Sequence, residues 1–261
     1  MRRRIYFAGL MMLAVLANPG AGAEPRGKPT EEQIARLLYP DMELASAGRR
    51  HFIYKAWAKF PGRSIVASYG KPEGKGGAVL RVEIAVLSSD GAGLTVISRN
   101  TFRYTIGFGV DKLQIDTANY QIAGAVTAFG LRAFSLYAGS GYEHHYESLD
   151  LFVLGSNAIN HVAGNLAFGD NGSIESHNEY SYCNSASLCD PVWTRDIAKT
   201  IVIVTSNRTN GYFDLIAKTT KTEESGPLDA SGPTATEKAP PETTTRLFRW
   251  DGEKYQDEQE K

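Results

Sequence analysis

The chain has 261 residues, with 28 Lys+Arg against 29 Asp+Glu and a formal net charge of −1. No long basic run follows the opening residues, which argues against nucleic acid or an anionic membrane surface as the main partner. The length is enough for one large β domain or two small ones.

In chain order, Arg2, Arg3 and Arg4 precede an uncharged apolar run from Ile5 to Ala17. Asn18-Pro19-Gly20 break that run, and Ala21-Gly22-Ala23 gives a small-x-small cleavage pattern before Glu24. This is the form of a secretory signal peptide over residues 1–23. The run is shorter than the roughly 20 residues that span a bilayer. The expected mature protein begins near Glu24, is periplasmic or secreted, and has no membrane anchor, because neither cysteine stands at the cleavage site. Without the three signal arginines it carries 25 basic against 29 acidic residues, near −4.

Residues 24–51 read as a polar lead-in and one short helix. Thr30-Glu31-Glu32-Gln33 has the form of a capping box. Ile34, Leu37 and Leu38 then supply a helical stripe, and Pro40 ends it, which predicts a helix over about 31–39. From Phe52 the pattern changes to runs rich in β-branched and aromatic residues, separated by Gly, Asn, Asp and Ser. Strands are expected at 52–59, 64–69, 80–88, 94–99, 116–122, 128–137, 148–154, 159–163, 201–206, 212–219 and 245–250. Most connections are short, which favours antiparallel hairpins over crossover helices.

One arrangement recurs: an apolar strand, a tight Asp-Gly or Asn-type turn, and the start of a return strand. It occurs at Val82–Leu87 with Asp90-Gly91, at Leu149–Leu154 with Ser156-Asn157, and at Arg246–Trp250 with Asp251-Gly252. Three quasi-repeated sheets account for it; so do three unrelated hairpins. The expected fold class is all-β: antiparallel meander sheets, as an incomplete propeller-like array or a sandwich, with one short N-terminal helix. The β-rich domain spans 52–255. Within it, about 221–244 is low in apolar residues and rich in Pro, Ser, Thr, Gly and Glu, so a disordered insertion is expected there. The tail 256–261 is expected to fray.

Cys183 and Cys189 are the only cysteines. An exported protein favours a short-range disulfide between them, a local clamp of about 2 kcal/mol by loop entropy. The alternatives are a redox pair, which ordinarily has two intervening residues, and half of a metal site, which needs further ligands.

For chemistry, the segment Gly139-Ser140-Gly141-Tyr142-Glu143-His144-His145-Tyr146-Glu147 stands out. In an extended chain neighbours point to opposite faces, so His144 and His145 do not share one ion. Glu143, His145 and Glu147 form one face, suited to a divalent cation or an acid/base pair; Tyr142, His144 and Tyr146 form the other. The plainer reading is a polar, aromatic hairpin tip exposed to water, and Tyr142–Glu147 are the candidate binding loop. Gly-x-Ser-x-Gly fails around Ser140, whose flanking positions are Ala138 and Tyr142. His51, His161 and His177 read as ordinary strand or loop histidines. No phosphate-cradling glycine motif opens a helix. Asp170, Asn171 and Glu175 lie in an acidic stretch whose spacing matches no recognised calcium loop, so a solvated connection is the simpler account. Carboxylate pairs for glycoside hydrolysis are set by distances in space and leave no trace in spacing.

Ile115–Tyr120, Ala128–Arg132, Tyr146–Phe152 and Phe248–Tyr255 together resemble a loose group of exported bacterial β-rich proteins. Their strand-turn-strand units resemble FG-GAP-type propeller blades. The resemblance implies the β architecture and the exported location. It carries over no functional residue, since the group has no established activity, and the Asp-x-Asp/Asn-x-Asp/Asn-Gly calcium loop of that pattern is missing here. No catalytic residue, metal or cofactor is assigned. The leading expectation is a non-enzymatic binding or interaction module of the cell envelope, with an unknown envelope or extracellular ligand. The alternatives are an envelope hydrolase with acid/base residues assembled only in space, and an inhibitor of a wall-degrading enzyme.

Overall fold

A computed structural model describes residues 29–41, 50–71, 79–90, 93–105, 110, 112–139, 142–166, 173–177, 192–229, 232–233 and 236–258. The expected signal peptide and the Cys183–Cys189 bridge lie outside the described residues.

The helix α1, Glu31–Leu38, starts on the capping box: Thr30 Oγ1 accepts from the Gln33 backbone N–H at 3.2 Å, and the Thr30 N–H donates to Gln33 Oε1 at 2.9 Å. The strands follow as β1 (His51–Ala56), β2 (Arg63–Tyr69), β3 (Val79–Asp90), β4 (Gly93–Thr105), β5 (Lys112–Gln121), β6 (Thr127–Gly139), β7 (Tyr142–Leu154) and β8 (Ile159–Ala163). Then come β9 (Ser173–His177), β10 (Val192–Thr209), β11 (Tyr212–Asp229), the two-residue β12 (Gly232–Pro233) and β13 (Glu237–Lys238), β14 (Glu242–Trp250) and β15 (Tyr255–Asp257).

These strands form three antiparallel meanders. The first is β1-β2-β3-β4, the second β5-β6-β7-β8, the third β10-β11-β14-β15. The three recurrent turns of the sequence each join the third to the fourth strand of one meander. They close at Asp90↔Gly93, Leu154↔Ile159 and Trp250↔Tyr255. β9 bridges the second and third meanders, pairing β7 on one edge and β10 on the other.

The meanders stack face to face, and the alternation of each strand decides what it touches. Ile65, Ala67, Val82, Ile84 and Val86 of the first meander pack on Leu113, Ile115, Phe129, Leu131 and Phe152 of the second. Ala128, Leu149 and Leu151, on the opposite face of the second, pack on Leu215, Ala217, Phe248 and Trp250 of the third. The second meander is thus buried on both faces, which is why β7 reads as an apolar run rather than an alternating one. The outer face of the first meander is covered by α1, whose Ile34 and Leu38 meet Val66, Ala85 and Leu87. No helix among the described residues is long and apolar enough to cross a membrane.

Two sequence expectations differ from the structure. The segment 221–244 was expected as a disordered insertion, but β11 continues through it to Asp229. Lys221 to Pro227 pair with Val192 to Ala198, Glu224 and Ser225 pair with Lys238 and Glu237, and Glu242 to Thr244 already belong to β14. The neighbouring strand satisfies its backbone groups, so ladder pairing replaces the apolar burial that the segment lacks. The tail is likewise held at its start: Gln256 and Asp257 pair with Arg249 and Phe248, and Asp257 Oδ2 accepts from Arg246 Nε at 2.6 Å.

Candidate functional site

The expected binding loop is a strand in the structure. Tyr142–Tyr146 pair with Ser135–Gly139 of β6 on one edge and with Ser173–His177 of β9 on the other. Both edges are occupied because β9, unread in the sequence, is added there. The side chains of Tyr142, Glu143 and His144 are outside the described set; His145 is exposed and Tyr146 half-buried.

Glu147 is committed to structure. Its Oε1 accepts from Arg132 at 2.6 Å, and the same guanidinium holds Asp116 Oδ2 at 2.7–2.8 Å. Tyr120 donates to Asp116 at 2.9 Å, as does the Ala118 N–H. Burial alone would raise the Asp116 pKa and lower that of Arg132. The hydrogen bonds reverse both, holding the carboxyl below its usual range and the guanidinium above its own. This network spans β5, β6 and β7 and leaves Glu147 unavailable as a base. No group of three metal-ligating residues occurs among the described residues. Asp170 and Asn171 lie outside them, and Glu175 falls in β9.

The chemistry gathers elsewhere, in a cavity of about 190 Å³ at the seam of the first two meanders. It is lined by Phe102, Arg103 and Tyr104 of β4, Asp150 and Phe152 of β7, His161 of β8, and Asn165. The local sequence explains the assembly. In β7, Leu149 and Leu151 face the third meander, so Asp150 and Phe152 face the first. The turn at 155–158 returns β8, and a register shift between Leu151 and Phe152 sets His161 opposite Phe152. His161 Nε2 thereby lies 3.0 Å from Asp150 Oδ1. With Asp150 as the carboxylate, Nε2–H donates.

Asp150 is 6% exposed, and the His161 side chain is 43% exposed, so the pair has a buried orienting end and an accessible working end. The Phe152 ring lies 5.1 Å from the imidazole and 4.8 Å from Phe102, forming an aromatic wall. Tyr104 is buried, and its hydroxyl has no hydrogen-bond partner among the described residues. Burial pushes its pKa well above the ordinary tyrosine value, and the Asp150 carboxylate adds to the shift, so the hydroxyl stays a donor.

The backbone beside the pair is specialised. A β-carbon on Gly164 would stand 3.0 Å from Asp150 Oδ1 and 3.2 Å from His161 Cε1. Asn165 has φ +51°, in the left-handed region. A larger open groove, about 710 Å³, lies by Tyr39, Glu83 and Arg99 at the end of α1. There Tyr39 donates to Glu83 Oε2 at 2.8 Å, and Arg99 donates to the Leu38 carbonyl at 2.9 Å while standing 3.7 Å from Glu83 Oε1, which has no hydrogen-bond partner among the described residues.

Sequence reasoning passed over Asp150, His161 and Tyr104. One signal was present: a carboxylate inside the apolar run Leu149–Leu154 has to find a partner when the strand is buried.

Fold and site define a stacked-meander β protein with an aromatic-walled polar pocket. No family model, curated protein or solved structure matches the chain.

Proposed function

We propose that this protein is a non-enzymatic binding module of the cell envelope, and that its pocket takes a small neutral hydroxylated ligand the size of one sugar ring. The observation that carries the reading is the buried, unpartnered Tyr104 hydroxyl beside the Asp150–His161 pair. A buried polar group without a partner costs about 1–3 kcal/mol, and a ligand hydroxyl that accepts from it recovers that loss.

The chemistry of the wall selects the class. Asp150 disfavours an anion, and Arg103 on the rim disfavours a cation. Hydroxyls both donate and accept, matching Tyr104, His161 and Asn165, while C–H faces suit Phe102. The volume is below that of drug-sized pockets, which start at about 300 Å³. Export follows from the Arg2–Arg4 and Ile5–Ala17 pattern. A hydrolase reading draws on the Asp–His pair as a water-activating base, but no Ser, Thr or Cys is among the described residues of the wall.

The test is amide-shift NMR of the folded protein titrated with free monosaccharides and linear polyols to millimolar levels. Saturable shifts at Tyr104, His161, Gly164 and Asn165 are expected, lost in Asp150→Asn and reduced in Tyr104→Phe. No saturable shift in that region with any of these probes, while both variants melt as folded proteins, overturns the reading.

A further inference from the structure

The hairpin between β10 and β11 turns on two residues, Asn210 and Gly211, with Thr209 paired to Tyr212. Both have positive φ, +51° and +85°, which is the signature of a type I′ turn and the reason that Asn-Gly suits it. Both are exposed, and a β-carbon on Gly211 would meet nothing within 4 Å. The asparagine does more than turn the chain. Its Nδ2 donates to the Trp250 carbonyl at 2.9 Å, across 40 residues of sequence. A carbonyl only accepts, so the carboxamide nitrogen has to face it. Around that contact Tyr212 stacks on Trp250 at 4.1 Å, and Tyr255 donates to the Phe213 carbonyl at 2.7 Å. The tip of the β10–β11 hairpin is thereby latched to the end of β14.

Asparagine before glycine is also chemically labile, because glycine has no side chain to shield its nitrogen. The Gly211 nitrogen attacks Asn210 Cγ and a C–N bond forms. The carboxamide nitrogen leaves as ammonia, taking the Gly211 N–H proton. Water then opens the five-membered imide to aspartate or isoaspartate. Ring closure requires the Gly211 nitrogen to eclipse Cβ about the Asn210 Cα–C bond. At the first central position of a type I′ turn ψ is about +30°, the mirror image of type I, which places that nitrogen nearly opposite Cβ. The hydrogen bond to Trp250 also holds the carboxamide against β14. The pair is therefore open to water but reacts only when the turn is undone.

We infer that Asn210 is a deamidation site gated by opening of the third meander, and that its conversion is one-way. The aspartate product keeps the turn, since Asp-Gly also suits type I′. Its carboxylate, however, has no proton to give Trp250 and stands against a carbonyl oxygen. The isoaspartate product adds a backbone atom to a two-residue loop and breaks the Thr209–Tyr212 register. In both products the latch that protected the asparagine does not re-form, so residue 210 records the opening of this corner. Asn165, the other non-glycine residue at positive φ among the described residues, precedes the fully buried Leu166, whose side chain shields the nitrogen.

The purified chain, incubated at mildly alkaline pH below its melting temperature, tests this by peptide mapping over time. Conversion at Asn210 is followed in native buffer, in urea short of the unfolding transition, and in the denatured chain. It is expected to be slower by at least about tenfold in the native chain than in the denatured one, and to rise with urea before global unfolding. No conversion is expected at Asn165 in the native chain. Tyr212→Ala removes the stack on Trp250 but keeps the Asn-Gly pair, and is expected to speed native conversion by about three- to tenfold. Asn210→Asp, the product made by substitution, is expected to melt below the parent. Equal rates in the native and denatured chains, native conversion indifferent to Tyr212→Ala, or an Asn210→Asp protein that melts with the parent overturns the inference. If Tyr212→Ala does not fold, the urea series decides in its place, and a rate indifferent to urea below the transition overturns the gating.

Discussion

Gly130→Ala sets two effects of opposite sign against each other. On propensity alone a strand glycine costs about 0.5–1 kcal/mol relative to alanine, so the substitution should stabilise. The structure says otherwise. Gly130 pairs with Asp116 on one side and Leu151 on the other, in a meander buried on both faces. A β-carbon there would stand 2.6 Å from Leu149 Cδ1 and 3.1 Å from Asp116 Cβ. Leu149 is 0% exposed, so its Cδ1 has to shift within a packed core, and Asp116 is held by Arg132 at 2.7 Å. Overpacking of this kind costs about 1–3 kcal/mol, which exceeds the propensity gain. The net expectation is a loss of about 1–2 kcal/mol. Leu149→Ala alone should cost about 2–5 kcal/mol by cavity formation. In the double variant the added methyl enters that cavity, so the combined loss should fall short of the sum by about 1–2 kcal/mol. Urea unfolding followed by tryptophan fluorescence, at constant denaturant dependence, measures all three. A Gly130→Ala protein as stable as the parent, or strict additivity in the double, refutes the reasoning.

Two further outcomes follow from the polar networks. Arg132→Met removes the guanidinium that bridges Asp116 and Glu147 and leaves Asp116 on Tyr120 and the Ala118 N–H; a loss of about 2–4 kcal/mol is expected by chemical denaturation. Arg132→Lys should recover only part of it, since one ammonium does not span both carboxylates in the fork geometry, and full recovery would count against the bridging role. Asp251, in the last turn, accepts from the Lys254 and Glu253 N–H groups and from Gln256, which hold its carboxyl at about 2. A depressed carboxylate contributes stability above its unfolded value, near 4, and loses it as the pH falls through about 2. The Asp251 carboxyl carbon shift, followed by NMR from pH 5 downward, should therefore stay in its ionised position at pH 3; a midpoint near 4 would show that the turn is not formed as described.

Most of the strand layout was legible because local rules and packing agree. β2, β3, β6 and β7 are buried enough that their apolar runs stand out, and the three Asp-Gly or Asn-type turns mark the third-to-fourth strand hairpin of every meander. What escaped was polar strand. Ser173–His177 contains a single aliphatic residue, Ile174, and Val192–Thr200 reads Trp-Thr-Arg-Asp between Val192 and Ile197. Such segments are strands because a neighbour offers a ladder, a fact that no window of sequence contains. The pocket escaped for a related reason. Asp150 and His161 are eleven residues apart, and their distance depends on the register shift in β7–β8; Tyr104 comes from another sheet altogether.

The repeat itself argues for where function lies. The first and third meanders each end in a fourth strand bearing a buried tyrosine, Tyr104 in β4 and Tyr255 in β15. Each has its pKa raised first by burial and then by a buried aspartate, Asp150 or Asp214. At the second seam the arrangement is closed: Tyr255 donates to the Phe213 carbonyl at 2.7 Å, Asp214 accepts from Thr209 at 2.7 Å, and Trp250 stacks on Tyr212 at 4.1 Å. At the first seam the tyrosine has no acceptor among the described residues, and the aspartate holds a half-exposed histidine beside a cavity. A buried hydroxyl ordinarily has a partner; Tyr255, opposite Trp250 beside the last turn, has one, whereas Tyr104, opposite Leu80 at the far end of β4, has none among the described residues. The unsatisfied tyrosine is the one that stands beside a cavity, and that contrast supports the proposed pocket over a core polar contact.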